Sequence, residues 1–187
     1  MISPFLIVLA VLVRVDSKGP IFYRGIRCGR YEIPFKIFKF RTMVVDAEKL
    51  GGGTTALGDP RITKIGRFMR SSKLDEVPQL FNVLKGEMSF VGPRPELLQY
   101  TNQYTEEEKI ILSVRPGITD LSSIEFSSLD THVGSENADS NFETHILPKK
   151  NQLRIKYVKE RGFFLDMYLI AKTVLLVFRK MLKVVFA

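Results

Sequence analysis

"SSKLDEVPQLFNVLKGEMSFVGPRPELL", residues 71–98, places two adjacent acids, Asp75 and Glu76, at what reads as a helix start. Leu74, Val77, Leu80, Phe81 and Leu84 recur behind them at helical spacing. Asp75 can cap such a helix, with Pro78 tolerated in its first turn. Alternatively Ser72 caps it and Asp75 closes a capping box three residues on. The same geometry also serves chemistry. Free N–H groups and the positive end of a helix dipole favour an ionised carboxylate and a bound phosphate. An ionised aspartate beside a metal-binding glutamate is a candidate nucleophile toward phosphorus.

Eighteen residues after Glu76 comes Arg94, inside Gly92-Pro93-Arg94-Pro95. Each proline fixes its own φ and holds the preceding residue extended, so Arg94 projects from a stiff backbone. A solvated loop arginine needs no such fixture, whereas a bidentate phosphate clamp gains from preorganisation.

Upstream, "IFYRGIRCGRYEIPFKIFKFRTM", residues 21–43, sets two aromatic-rich runs around a Gly/Arg turn and reads as a β-hairpin. Strand alternation puts Lys39 and Arg41 on one face, about 7 Å apart, and Phe38 and Phe40 on the other. Those two cations either line a solvated face or grip a diphosphate. "ITKIGRFMRSS" reads as a short helix or turn and "TEEEKIILSVRPG" as a helix stopped by Pro116-Gly117. Residues 119–148, rich in Ser, Asp and Glu, read as a long loop.

The chain's ends are apolar. An uninterrupted run from Pro4 to Val13 is too short to span a bilayer and has no signal-peptide flanks. Lys172, Arg179, Lys180 and Lys183 are set into an apolar C-terminal segment, as in an amphipathic helix at a membrane interface. Of the 28 Lys+Arg and 20 Asp+Glu in 187 residues, 14 basic and 7 acidic residues fall between positions 16 and 85. That bias implies an anionic partner: nucleic acid, an anionic membrane surface or a phosphorylated substrate. The single Cys28 rules out an internal disulfide framework. Gly51-Gly52-Gly53 belongs to no phosphate-loop motif, and no G-x-S-x-G elbow exists. His132 and His145 lack zinc-site spacing, so a metal would be held by oxygen, which favours Mg2+.

Taken together, "KFRTM", "DPRITKIGRFMRSSKLDEVPQLFNVLKGEMSFVGPRPEL" and "VRPGIT" resemble the bacterial sugar transferase family, the monotopic polyprenol-phosphate phosphoglycosyl transferases. The resemblance runs from Ser3 nearly to the C-terminus. It implies an enzyme that moves a phosphosugar from a UDP-sugar to a polyprenyl phosphate and releases UMP. Carried over residue by residue, it makes Asp75 the nucleophile of a covalent phosphosugar intermediate and Glu76 its magnesium-associated partner. It adds Lys39, Arg70 and Arg94 as phosphate-binding residues and Asp166 as a possible further site residue; Arg41 joins the phosphate-binding set through the strand face it shares with Lys39. Localisation at the cytoplasmic face of a bacterial inner membrane follows, with membrane lipid as a partner, no nucleic acid, and a possible homo-oligomer.

The expected class is α+β, mostly helical with a small β-hairpin, in a single domain. Residues 1–15 would be the second half of a re-entrant membrane helix, 16–160 the catalytic core, and 161–187 an interfacial amphipathic helix. Family members carry basic residues and a further helical half before the Ser-Pro, so the N-terminus reads as truncated. "PGITDLSSIEFSS" departs from the Gly-Trp and Asn-Gly-Arg pattern of many members, and the sugar's identity does not carry over. The rival class is a basic membrane-surface or RNA-binding module. Such a module needs aromatics interleaved with cations, and Phe38 and Phe40 fall on the wrong face for that.

Overall fold

The two aromatic runs form the expected hairpin. In the computed structural model, which describes residues 4–50, 55, 58–127 and 138–185, strands β1 (Phe22–Tyr23) and β2 (Ile26–Cys28) run antiparallel to β3 (Pro34–Lys36) and β4 (Lys39–Phe40). β2 pairs with β3 and β1 with β4 in one register, from Phe22 opposite Phe40 to Cys28 opposite Pro34, so the two ladders are one hairpin broken at its middle. The buried Asn82 fills the break. Its Oδ1 accepts from the Phe38 N–H at 2.8 Å, and its Nδ2 donates to the Lys36 carbonyl at 3.0 Å.

Helix α1 (Pro4–Asp16) starts on a proline, whose missing N–H costs nothing in a first turn. It buries Leu9 and Val13 against Phe40 and Met69 and turns Phe5, Ile7, Val8, Val11 and Val15 outward. Arg41 closes the turn just past its C-terminus, donating to Ser17 O and Lys18 O at 2.6 Å each and, at 3.5 Å, to Val13 O in the helix's last turn. This corrects the expectation that Arg41 shares a phosphate-gripping face with Lys39. A buried guanidinium is satisfied best by the negative end of a helix, and the strand ends at Phe40, so alternation no longer governs position 41. At its last residue α1 also supports α2 (Lys64–Ser71): Asp16 Oδ2 accepts from Ile65 N–H and Thr63 Oγ1 from Gly66 N–H, both at 3.0 Å.

The stretch that opened the sequence reading folds differently from an α-helix. Lys73 turns left-handed (φ 61°), residues Leu74–Gln79 wind as a 3₁₀ helix, and only Leu80–Leu84 form α3. Neither capping alternative holds. Ser72 Oγ donates back to Phe68 O at 2.8 Å, and the 3₁₀ helix has no side-chain cap. The apolar stripe is not a core stripe either, since Leu80 is 41% and Leu84 83% exposed.

Two strands absent from the sequence reading follow. β5 (Ser89–Val91) pairs in parallel with β6 (Gly117–Thr119), and the crossover between them contains α4 (Leu98–Thr101) and a 3₁₀ helix (Glu108–Ser113). The latter stands where an α-helix is expected. A reciprocal Thr105–Glu108 box does start it, with Thr105 N–H to Glu108 Oε2 at 2.9 Å.

The ends of the expected 119–148 loop are helical. Asp120 caps α5 (Leu121–Glu125), accepting from Ser123 N–H at 2.7 Å. α6 (Ala138–Asn141) passes through a π-turn (Phe142–Ile146) into α7 (Leu147–Glu160). The stretch's Ser and Asp composition marks caps as readily as loops. Its centre, including His132, and the run Gly51–Gly53 lie outside the described residues.

Helix α8 (Phe163–Val185) closes the chain. Leu169 is fully buried in a cluster with Val91, Tyr157 and Val158, and Thr173 Oγ1 meets Thr119 Oγ1 at 2.6 Å. Its other face exposes Phe163, Phe164, Tyr168, Val174 and Phe178. Among the described residues no helix is long and apolar enough to cross a membrane. The architecture is mostly helical with a small β component.

Candidate active site

Three elements bring the charged residues together. The 3₁₀ helix packs against β4, with Glu76 facing Lys39, and the rigid turn after β5 delivers Arg94. Glu76 binds both cations: Arg94 forks onto it, Nη1 to Oε2 at 2.9 Å and Nη2 to Oε1 at 2.8 Å, while Lys39 Nζ reaches Oε1 at 3.0 Å. Arg94 is also tied to the Ile118 carbonyl at 2.6 Å, so β6 aims the guanidinium.

Electrostatics separates the two acids. Burial raises the Glu76 pKa, but Arg94, Lys39 and Lys73 outweigh it and hold the carboxyl well below its usual range. Asp75 moves the other way: burial and then the Glu76 charge push it up against the pull of Lys39, Lys73 and Arg70. Asp75 is 7% exposed, and its Oδ1 has no hydrogen-bond partner among the described residues. A carboxylate kept basic, desolvated and unpaired is poised to form a bond. Burial lowers the Lys39 pKa against the pull of Glu76.

Arg70 lies in the last turn of α2 and is fixed by hydroxyls, Nε to Thr42 Oγ1 at 2.8 Å and Nη1 to Thr55 Oγ1 at 2.9 Å. Burial lowers its pKa, and Asp75 is the largest charge opposing that. Lys39, Arg70 and Arg94 are thus all coupled to the acid pair. Arg41 is not, and Asp166 is engaged elsewhere, accepting from the Tyr157 hydroxyl at 2.9 Å. Phe40 is buried and the Arg24 guanidinium lies 3.4 Å from the centre of the Phe38 ring, so this face of the hairpin offers no bare aromatic platform.

Several participants escape sequence reasoning. Gln79 is fully buried with neither amide atom paired, one 3₁₀ turn beyond Glu76. Glu96 accepts from Lys150 at 3.1 Å and from the fully buried Arg154 at 2.6 Å, anchoring the segment behind Arg94 to α7. An acid directly after Pro-Arg-Pro is the one local signal that could have marked Glu96.

Among the described residues no group of three or more His, Cys, Asp or Glu could hold a metal. Magnesium, however, often takes only one or two carboxylates and completes its sphere with substrate phosphates and water. The unpaired Asp75 Oδ1 beside Glu76 fits that donor set. A buried acid pair ringed by fixed cations defines a protein suited to phosphate-bearing ligands.

The family model of the bacterial sugar transferases matches residues 1–180. A UDP-glucose:undecaprenyl-phosphate glucose-1-phosphate transferase of Klebsiella pneumoniae is 37% identical over 93% of this chain and 36% of its own length. A UDP-N-acetylgalactosamine-undecaprenyl-phosphate N-acetylgalactosaminephosphotransferase of Aeromonas hydrophila is 34% identical over 92% of this chain and 38% of its own. The uncharacterized sugar transferase EpsL of Bacillus subtilis is 37% identical over 92% of this chain and 77% of its own. This chain belongs to the bacterial sugar transferase family, and it spans little more than a third of the first two relatives.

Proposed function

We propose that this protein is a phosphoglycosyl transferase that moves a sugar-1-phosphate from a UDP-sugar to a polyprenyl phosphate at the cytoplasmic face of a bacterial inner membrane. The observation that carries the reading is a buried Asp75 with an unpaired Oδ1, beside a Glu76 locked by Lys39 and Arg94. In the first step an Asp75 oxygen attacks the phosphorus bonded to the sugar. The bond from that phosphorus to the bridging oxygen breaks, and UMP leaves with the electron pair. In the second, a phosphate oxygen of the acceptor attacks the same phosphorus and releases Asp75 as a free carboxylate, giving a polyprenyl diphosphate sugar.

Both steps are positioning and charge neutralisation. Arg94, held by Ile118 and Glu76, and Arg70, held by Thr42 and Thr55, are preorganised cations for the diphosphate. Lys39 balances Glu76 when Arg94 turns to substrate. Asp75 and Glu76 would hold magnesium, which supplies further neutralisation of the phosphate charge. The apolar run from Pro4 to Val13 rises about 15 Å as a helix, half the hydrocarbon thickness, which supports entry from one leaflet without crossing. The exposed apolar face of α8 supports a second, interfacial contact.

The test is intact-protein mass spectrometry after incubation with UDP-glucose or UDP-N-acetylgalactosamine and Mg2+. Wild type should gain one phosphosugar and release UMP, and Asp75→Asn should do neither while keeping its helical circular dichroism. Wild-type turnover by Asp75→Asn would remove Asp75 from the mechanism.

A further inference from the structure

Behind Arg94 lies a second guanidinium that the proposed mechanism does not use. Arg154, on α7, is fully buried. Its Nη2 donates to Glu96 Oε1 at 2.6 Å and its Nη1 to Asn151 Oδ1 at 3.0 Å. Its Nε lies 3.9 Å from Asp120 Oδ2, with no hydrogen-bond partner among the described residues. Burial opposes the Arg154 charge, and Glu96, Tyr104 and Asp120 outweigh that. Stability alone does not call for such a group, since an apolar side chain of similar volume often serves as well. What distinguishes Arg154 is what it joins.

The two carboxylates around it belong to the two segments that hold Arg94. Glu96 follows Arg94 by two residues, in the proline-stiffened stretch that carries the guanidinium. Asp120 follows Ile118 by two residues, just past β6, and the Ile118 carbonyl accepts from Arg94 Nη1 at 2.6 Å. In sequence the whole crossover separates the two segments. In space Arg94 ties them together on one side, through Ile118, and Arg154 does so on the other. Each anchor is also fixed independently. The Cys28 N–H donates to the Glu96 carbonyl at 3.0 Å. Asp120 is fully buried and accepts from the Ser122 hydroxyl at 2.9 Å and the Ser123 N–H at 2.7 Å. Lys150 also binds Glu96, at 3.1 Å, but its other described contact is the Phe142 ring, so it holds one side only. The Asp120 charge reaches Arg94 as well: burial would lower the Arg94 pKa, and Glu76, then Asp120 and Asp75, hold it up.

We infer that Arg154 is a positioning residue for the transfer: it clasps the segment carrying Arg94 to the strand that aims it, and so sets the guanidinium fork for the diphosphate. The inference rests on the proposed transferase reading and adds to it a residue that touches no substrate.

A double-mutant cycle on the full chain in nanodiscs tests it. UMP release is followed with UDP-glucose or UDP-N-acetylgalactosamine, whichever is turned over, and undecaprenyl phosphate as acceptor, with a thermal melt on each preparation. Arg154→Met leaves Glu96 its bond to Lys150 and Asp120 its serine donors, so neither carboxylate is stranded. It should lower kcat/KM at least about tenfold where the protein remains folded, as misplacement of a remote support does. In an Arg94→Lys background the fork is already lost, and the same substitution should lower kcat/KM less than about threefold further. An arginine that only stabilised the fold would show the same loss in both backgrounds. Equal losses, or wild-type kcat/KM in Arg154→Met, overturn the inference and leave the transferase reading standing. If Arg154→Met melts below the assay temperature, Arg154→Lys decides by the same cycle. Its ammonium can keep Glu96 but has no second arm toward Asp120, so a loss confined to the chain with Arg94 is expected, and any other result overturns the inference. Absence of UMP release by wild type defeats the transferase reading itself, and the inference with it.

Discussion

Glu76 accepts two hydrogen bonds from Arg94 and a third from Lys39, yet no described contact holds Asp75 Oδ1. One acid is fixed by three hydrogen bonds, and the other keeps a buried oxygen with none among the described residues. Arg94 makes a three-bond fork that only a planar guanidinium can make. Arg94→Lys keeps the charge and loses the geometry, so kcat/KM for UMP release should fall by about one to three orders of magnitude. Activity equal to wild type would show that the fork is dispensable. At this scale the sequence is a good guide where local stiffness fixes a position: two prolines flag the Arg94 that lies against Glu76. It misleads at Arg41, where strand periodicity is extrapolated one residue past the strand's end and a cation serves a helix terminus instead. Gln79 gives no local signal, because its burial arises only when the 3₁₀ helix packs on β4.

The aim of Arg94 depends on the pairing of β5 with β6. Gly92 and Gly117 let the backbones touch: a Cβ on Gly117 would stand 2.1 Å from Gly92 N and 2.5 Å from Gly92 O. Backbone cannot swing aside as a side chain can. Gly117→Ala should force the strands apart, cost about 1–3 kcal/mol of stability, and lower kcat/KM by moving the Ile118 carbonyl that holds Arg94. Thermal melts and UMP release on the same preparation check both effects. An unchanged melting temperature would place slack where the structure shows contact. The hairpin and this strand pair differ in legibility for a physical reason. The hairpin is local, with aromatic alternation and a turn in one stretch. The parallel pair joins two three-residue strands 25 residues apart in sequence, too short to show a period. The 3₁₀ helix of 74–79 is misread for a related cause: apolar spacing cannot tell it from an α-helix over so few residues.

Across the whole molecule, one buried polar group joins the site loop to the helical half. Glu96 takes Lys150 and Arg154 from α7, and Arg154 Nε lies 3.9 Å from Asp120 Oδ2 next to β6. Burial alone would raise the Glu96 pKa, but Lys150 and Arg154 bring it from 4.5 to about 2. A depressed acid stabilises the fold fully above its unfolded value. That contribution, on the order of a few kcal/mol, should fade as pH falls from 4.5 toward 2. Chemical-denaturation midpoints in detergent should drop across that window, and Glu96→Gln should flatten the slope. An identical slope in the variant would assign acid sensitivity to other carboxylates. These long-range ion pairs, up to 58 residues apart, are invisible in sequence. The family resemblance, by contrast, is legible because its motifs, between Lys39 and Thr119, are contiguous stretches of sequence, and the family match extends over residues 1–180.

The cap that Arg41 places on α1 limits how the protein can be engineered. Trimming the apolar leader to obtain a soluble catalytic fragment would remove the carbonyls of Val13, Ser17 and Lys18, leaving a buried guanidinium with nothing to face. The damage would arise at the residue after Phe40, two from Lys39. A fragment beginning at position 19 should therefore misfold even in detergent, as read by loss of its far-ultraviolet signal. Repainting the outward residues of α1 with polar side chains should instead preserve the core. The apolar helix α1 is a cornerstone of the packing around Phe40 and Met69, and solubility has to be designed around it.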